Sequence, residues 1–126
     1  MYKLMLIDDD VPMLRYIQQL IDWDELGIEI SDSMYSSEAA LEAFEVKRPD
    51  IILTDIGMPY MNGIALAQQF RRKHPEVRII FLTCHEDFTY SKQAFQLSAD
   101  DYLIKDELTK EQLTESLLKA IEHLEH

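Results

Sequence analysis

The stretch Pro49 to Gly63, PDIILTDIGMPYMNG, joins a short apolar run, Ile51 to Leu53, to a carboxylate at Asp55 and then to a loop carrying Gly57, Pro59 and Gly63. An apolar run of that length, bounded by turn residues, predicts a buried strand, and the turn residues place Asp55 at the end of the strand, where the loops gather. Past the loop, Asn62 is a cap for a helix in which Leu66, Ala67 and Phe70 share one face and Pro75 follows the end.

The same strand-then-helix alternation extends in both directions. Tyr2 to Ile7 is an apolar run ending in Asp8, Asp9 and Asp10, and Pro12 opens a helical pattern through Leu14, Ile17, Leu20 and Ile21. Beyond Gly27, residues Ile28, Ile30, Met34 and Tyr35 predict a more polar strand at an edge of the sheet. Ser36 or Ser37 caps a helix with Ala40, Leu41 and Phe44 facing inward, stopped by Pro49. Val77 to Leu82 predicts the fourth strand, ending at Thr83. A helix over Asp87 to Leu97 has Phe88, Ser91, Ala94 and Phe95 at helical spacing, and Phe88, Tyr90 and Phe95 are expected as a core-facing stripe. Tyr102 to Ile104 ends at Lys105, and Thr109 with Gln112 forms a capping-box signature before Leu113, Leu117, Ala120, Ile121 and Leu124. The alternation predicts one α/β domain over 1–126, with a mainly parallel sheet covered on both faces.

Composition narrows the function. Twenty-four acidic against twelve basic residues give a net charge of -12, which disfavours direct binding to nucleic acid or anionic membrane. Lys47 with Arg48, and Arg71 to His74, fall at expected helix ends, where cations suit the dipole. Cys84 is the single cysteine, so neither a disulfide framework nor a thiol metal cluster is available, and it is expected to pack as a small side chain. The four histidines show no ligand spacing and are expected in solvent. No signal peptide or membrane-length apolar run is present, so a cytoplasmic location is expected. Leu124 to His126 are native helix end or tag residue, and no function is assigned to them.

In a sheet of this kind, ligands bind beyond the carboxyl ends of the strands. Four of the five runs end there in polar groups: Asp8 and Asp9, Asp55, Thr83, and Lys105. If the strand order is 2-1-3-4-5, the first and third strands are neighbours and their three carboxylates converge. Converging carboxylates raise one another's pKa unless a cation intervenes, and an all-oxygen set suits Mg²⁺, or Mn²⁺, over Zn²⁺. With the Lys105 ammonium and the Thr83 hydroxyl, the set describes a phosphoryl site in which a carboxylate attacks in line.

The acidic pair after the first strand, DIGMPYMNG around Asp55, Thr83, and DYLIK ending in Lys105 together resemble the receiver domain of two-component response regulators over nearly the whole chain. The resemblance implies a doubly wound, flavodoxin-like (βα)5 fold of order 2-1-3-4-5. It implies Asp55 as phosphoacceptor, Asp8 and Asp9 as the acidic pocket with Asp9 the more direct Mg²⁺ ligand, the Gly57 backbone carbonyl as a further ligand, Lys105 bridging to the phosphoryl group, Thr83 sensing it, and Tyr102 rotating to report the state. The implied protein is a signalling switch that assists its own phosphorylation by a histidine kinase and turns over no metabolite.

The segments IDWDELGIEI and HEDFTYSKQAF are similar to receivers attached to AraC-type DNA-binding domains, and such an output domain is not contained in this chain. Helix four, strand five and helix five form the implied homodimer face, with Lys92, Asp100 and Lys119 as candidates to pair across it. Two departures concern the site: Gly57 leaves the phosphoryl group little shielded, and Cys84 is larger than the residue expected there. A third is Asp106, where proline is common, so the Lys105–Asp106 bond is expected to be trans, with a different loop before the last helix. The rival reading is a haloacid-dehalogenase-type Mg²⁺ phosphohydrolase, with Asp8 as nucleophile and Asp10 as acid/base, which leaves Asp55 without a role.

Overall fold

The computed structural model describes residues 1–84 and 89–126. Five parallel strands, β1 (Tyr2–Ile7), β2 (Ile28–Met34), β3 (Ile51–Asp55), β4 (Arg78–Thr83) and β5 (Asp101–Ile104), lie in the order β2-β1-β3-β4-β5. The connecting helices are α1 (Val11–Leu20), α2 (Ser37–Lys47), α3 (Gly63–Lys73), α4 (Ser91–Gln96) and α5 (Lys110–Glu125).

Alternation along the strands divides the core in two. Leu4, Leu6, Ile51, Leu53, Ile80 and Leu82 pack under α1 and α5, against Leu14, Ile17, Leu113 and Leu117. Met5, Ile7, Ile52, Ile79 and Phe81 pack under α2 and α3, where the Phe44 and Phe70 rings stack with centroids 4.2 Å apart. The central strands are buried on both faces and read as unbroken apolar runs. By contrast β2, at the edge, is only part buried, and its pairing with β1 is irregular opposite Leu4 and Met5.

The expected caps are in place. Ser36 accepts from Ala39 N, Asn62 from Ala65 N at 2.9 Å, and Thr109 and Gln112 make both bonds of a capping box at 3.1 Å. Each satisfies an orphaned first-turn N–H. Thr109→Ala is expected to cost about 1 kcal/mol in urea unfolding; an unchanged midpoint would mean that the box contributes nothing.

Asp10, exposed at the start of α1, caps that helix by accepting from Met13 N. Several expectations need correction. A 3-10 turn at Asp24–Leu26, ended by left-handed Gly27, stands before β2. Within the described residues α4 runs only Ser91–Gln96; the expected start at Asp87, and Phe88, lie outside them. Phe95 does not face the core but is 83% exposed, because Ala94 is the residue this short helix turns to the sheet and the next position points about 100° away. Cys84 is exposed, not packed.

Asp100 is not available to a dimer partner. Its side chain is buried, holds Arg78 through two bonds of 2.8 and 2.9 Å, accepts from Ile79 N, and meets His123, which is therefore not a purely solvated histidine. Lys119 likewise turns to Asp101 of its own chain. The Lys105–Asp106 bond is trans, and Lys105–Glu107 form a 3-10 turn before α5. Among the described residues, no helix is long and apolar enough to cross a membrane.

Candidate functional site

Strand register explains why residues far apart in sequence meet. Ile7 of β1 lies opposite Thr54 of β3, so the next residues, Asp8 and Asp55, emerge side by side at the carboxyl edge. Asp55 lies opposite Leu82 of β4, and Thr83 opposite Ile104 of β5, so Thr83 and Lys105 leave the sheet one and two steps further along the same edge. The loop after Asp55 is held close: Gly63 N donates to the Ile56 carbonyl at 2.8 Å and Ile56 N donates to Leu82 O at 3.0 Å. A Cβ on Gly63 would fall 2.1 Å from the Asp55 carbonyl oxygen, so α3 can begin there only on glycine.

The Asp8, Asp9 and Asp55 carboxylates each offer an oxygen within 4.8 Å of the others. Asp8 is fully buried and Asp55 is 3% exposed, while Asp9 is exposed. Asp8 accepts from Asp10 N at 2.9 Å and from the Lys105 ammonium, whose Nζ lies 3.0 and 3.2 Å from its two oxygens and 3.5 Å from Asp55 Oδ1. Lys105 thus bridges two carboxylates across the sheet edge. Among the described residues, Asp55 Oδ1 has no hydrogen-bond partner, and Asp8 Oδ2 has only the Lys105 charge beside it. One ammonium does not neutralise three acids. The uncompensated oxygens fit a hard divalent cation, for which Asp8, Asp9 and Asp55 are suitable ligands.

Burial, then the Asp8 charge, push the Asp55 pKa up to about 7, with Lys105 opposing and Asp9 adding to the rise. Burial likewise raises Asp8, against the lowering effects of Asp10 N–H and Lys105. For Lys105, burial acts downward, but the Asp8 hydrogen bond and the Asp55 and Asp8 charges leave its pKa raised. Between the ordinary carboxylate range and about pH 7, the folded chain therefore holds more protons at Asp55 and Asp8 than the unfolded chain. The associated stability is full below the unfolded pKa and is lost as pH rises through 7. Urea unfolding in chelator should therefore show a loss of about 1–3 kcal/mol between about pH 5 and about pH 8, reduced by Mg²⁺. A flat profile would contradict this electrostatic account.

The other expected residues are placed as follows. Thr83 is buried at the end of β4. Gly57 lies in the loop with open space where a side chain would stand. Tyr102 is half-buried on β5, opposite Phe81 and packed against the core under α2 and α3. Two features had no sequence signal strong enough to predict them: the polar clasp of Arg78, Asp100 and His123, and the Arg71 guanidinium, which donates to Leu97 O and Val77 O at 2.6 and 2.9 Å. The hydrolase reading needs Asp8 as nucleophile and Asp10 as acid/base, but Asp8 Oδ1 is taken by the Asp10 N–H and the Lys105 ammonium, and Asp10 is occupied as a helix cap.

Comparison with known proteins agrees with this geometry. The family model described as response regulator receiver domain matches residues 4–118. The uncharacterized transcriptional regulatory protein YesN of Bacillus subtilis is 32% identical over 98% of this chain, which spans only 33% of that protein. The DNA-binding transcriptional regulator NtrC of Escherichia coli is 34% identical over 79% of the chain, corresponding to 20% of its own length. Among solved structures, the REC domain of AraT, a response regulator from Geobacillus stearothermophilus, superposes with a TM-score of 0.92 at 33% identity, covering 98% of this chain and 95% of that one. None of these gives support to the phosphohydrolase reading. A buried carboxylate at the end of β3, flanked by two acids and bridged by a lysine, and matched over residues 4–118, identifies the chain as a member of the response-regulator receiver domain family.

Proposed function

We propose that this chain is a phosphorylatable switch in which Asp55 accepts a phosphoryl group from a histidine kinase's phosphohistidine or from a small phosphodonor. The observation that carries this reading is the Asp55 carboxylate at the sheet edge, with Asp8 and Asp9 oxygens within 4.8 Å and the Lys105 ammonium at 3.5 Å. An Asp55 oxygen forms the new bond to phosphorus as the bond to the donor's nitrogen or oxygen breaks, and the electron pair leaves with the donor. Asp55 must be ionised to attack, and with its pKa near 7 the added positive charge at this site decides how much of it is. Lys105 is placed to pair with the phosphoryl oxygens as charge moves onto them. Mg²⁺, held by Asp8, Asp9, Asp55 and the Gly57 carbonyl, would supply the remaining neutralisation of the transferring group.

Thr83 and Tyr102 are the switch residues of this reading. Phosphorylation draws the Thr83 hydroxyl toward the phosphoryl group and shifts Tyr102 inward, which biases the α4, β5 and α5 face. The exposed Phe95 and half-buried Tyr102 on that face support its use as the output and homodimer surface. An AraC-type DNA-binding domain is the proposed output in the full-length protein, which would act on transcription in the cytoplasm. The net charge of -12 supports placing DNA contact on that output domain and not on this one.

The test is the intact mass of the chain after incubation with acetyl phosphate, with and without Mg²⁺. A single Mg²⁺-dependent phosphoryl adduct is expected, and absence of an adduct with Mg²⁺ present would overturn the reading.

A further inference from the structure

On the α2 side of the loop that follows Asp55, a cavity of about 360 Å³ opens between the end of β2 and residues 58–61. Its floor and walls are Leu41, Met58 and Met61, and two tyrosines, Tyr35 and Tyr60, flank it. Met58 is buried, but Tyr35 is 66% exposed and Tyr60 is 97% exposed. Tyr60 also holds a left-handed backbone with φ 69°, uncommon for a bulky residue, and it gains no burial in return. The fold thus presents an aromatic ring to solvent at some conformational cost.

The electrostatics of the lining are one-sided. Among the described residues, Glu38 is the single charged one in the lining and no lysine or arginine lines it, and the whole chain carries -12. Tyrosine faces attract cations through the ring quadrupole, and methionine thioethers adapt to methylene stems. We infer that this cavity is a docking groove for an arginine side chain carried by a basic segment of a partner protein. The guanidinium lies against the Tyr35 and Tyr60 rings within reach of the Glu38 carboxylate, and its apolar stem rests on Met58, Met61 and Leu41. Arginine suits the groove better than lysine, because a planar, weakly hydrated guanidinium stacks on aromatic faces. This groove shares none of its lining residues with the acid pocket of Asp8, Asp9 and Asp55.

The test is a heteronuclear NMR titration of the ¹⁵N-labelled chain with N-acetyl-arginine amide, run beside its neutral isostere N-acetyl-citrulline amide at matched ionic strength. Saturable shifts are expected at the amides of residues 35–38, 58, 60 and 61 with the arginine probe and not with citrulline. Tyr60→Ala should weaken the arginine response about fivefold, and so should Glu38→Gln. Both positions are exposed, so an unchanged urea midpoint confirms that either variant is folded. No saturable shift at these amides, an equal response to citrulline, or an unaltered affinity in folded Tyr60→Ala would each overturn the inference.

Discussion

Asp55→Asn will take up no phosphoryl group from acetyl phosphate and Mg²⁺, and without divalent cation near pH 8 it will be more stable than the parent chain by about 2 kcal/mol. Both results follow from one carboxylate. The amide keeps the shape of the side chain at the end of β3 but lacks the negative charge, and with it the nucleophilic carboxylate oxygen, needed to attack phosphorus. It also removes a buried negative charge that sits beside Asp8 and Asp9 with only Lys105 between them. A pKa raised to about 7 means that ionising Asp55 works against the fold, so removing the ionisation restores stability above that pH and changes little near pH 5. Lys105 keeps its contact to Asp8 in the variant, which limits the gain by leaving one ion pair intact. Mass spectrometry reads the first result and urea unfolding the second. An adduct retained on the variant would move the nucleophile to another residue, Asp8 first. A variant less stable than the parent at pH 8 would show that the acid pocket is not electrostatically frustrated.

How much of this was legible beforehand depends on the kind of interaction. The central strands are buried on both faces, so their apolar runs stand out, and the polar residues that stop them mark the sheet edge. Asp8, Asp9, Asp55, Thr83 and Lys105 could be picked from sequence for that reason, once a parallel sheet was assumed. Caps were legible at Ser36, Asn62 and Thr109 because they act within a few residues of themselves. Asp100 was misjudged because its partners, Arg78 and His123, lie 22 and 23 residues away and nothing local announces them. Phe95 was misjudged by helical period: four apolar or small positions at that spacing fit more than one helix face, and a helix as short as α4 buries little beyond Ala94. The cavity beside Tyr60 was invisible for a third reason, since it is formed by the meeting of two loops, and Tyr60's left-handed backbone carries no sequence mark.

Gly63→Ala will destabilise the chain by about 3 kcal/mol or more and will slow adduct formation on whatever fraction remains folded. Gly63 read in sequence as a loop residue ahead of a helix, but its backbone does not need glycine's left-handed freedom; it needs the space. The added Cβ would stand 2.1 Å from the Asp55 carbonyl oxygen, 2.8 Å from Ile56 Cα and 2.9 Å from the Asp55 carbonyl carbon, all backbone atoms that cannot rotate aside. Relief requires the first turn of α3 to lift away, which breaks the bond from Gly63 N to Ile56 O and loosens Leu66, Ala67 and Phe70 from the core. Alternatively the end of β3 shifts, and Asp55 leaves its place beside Asp8 and Lys105. Either way, helix packing and the position of Asp55 fail together, because the same glycine sets both. Gly57→Ala is the matched control: no atom of the described residues lies within 4 Å of its added Cβ, so its urea midpoint should stay close to that of the parent. If the two variants lose equal stability, the close approach of α3 to Asp55 does not set the site, and the position of Asp55 must be fixed by strand pairing alone.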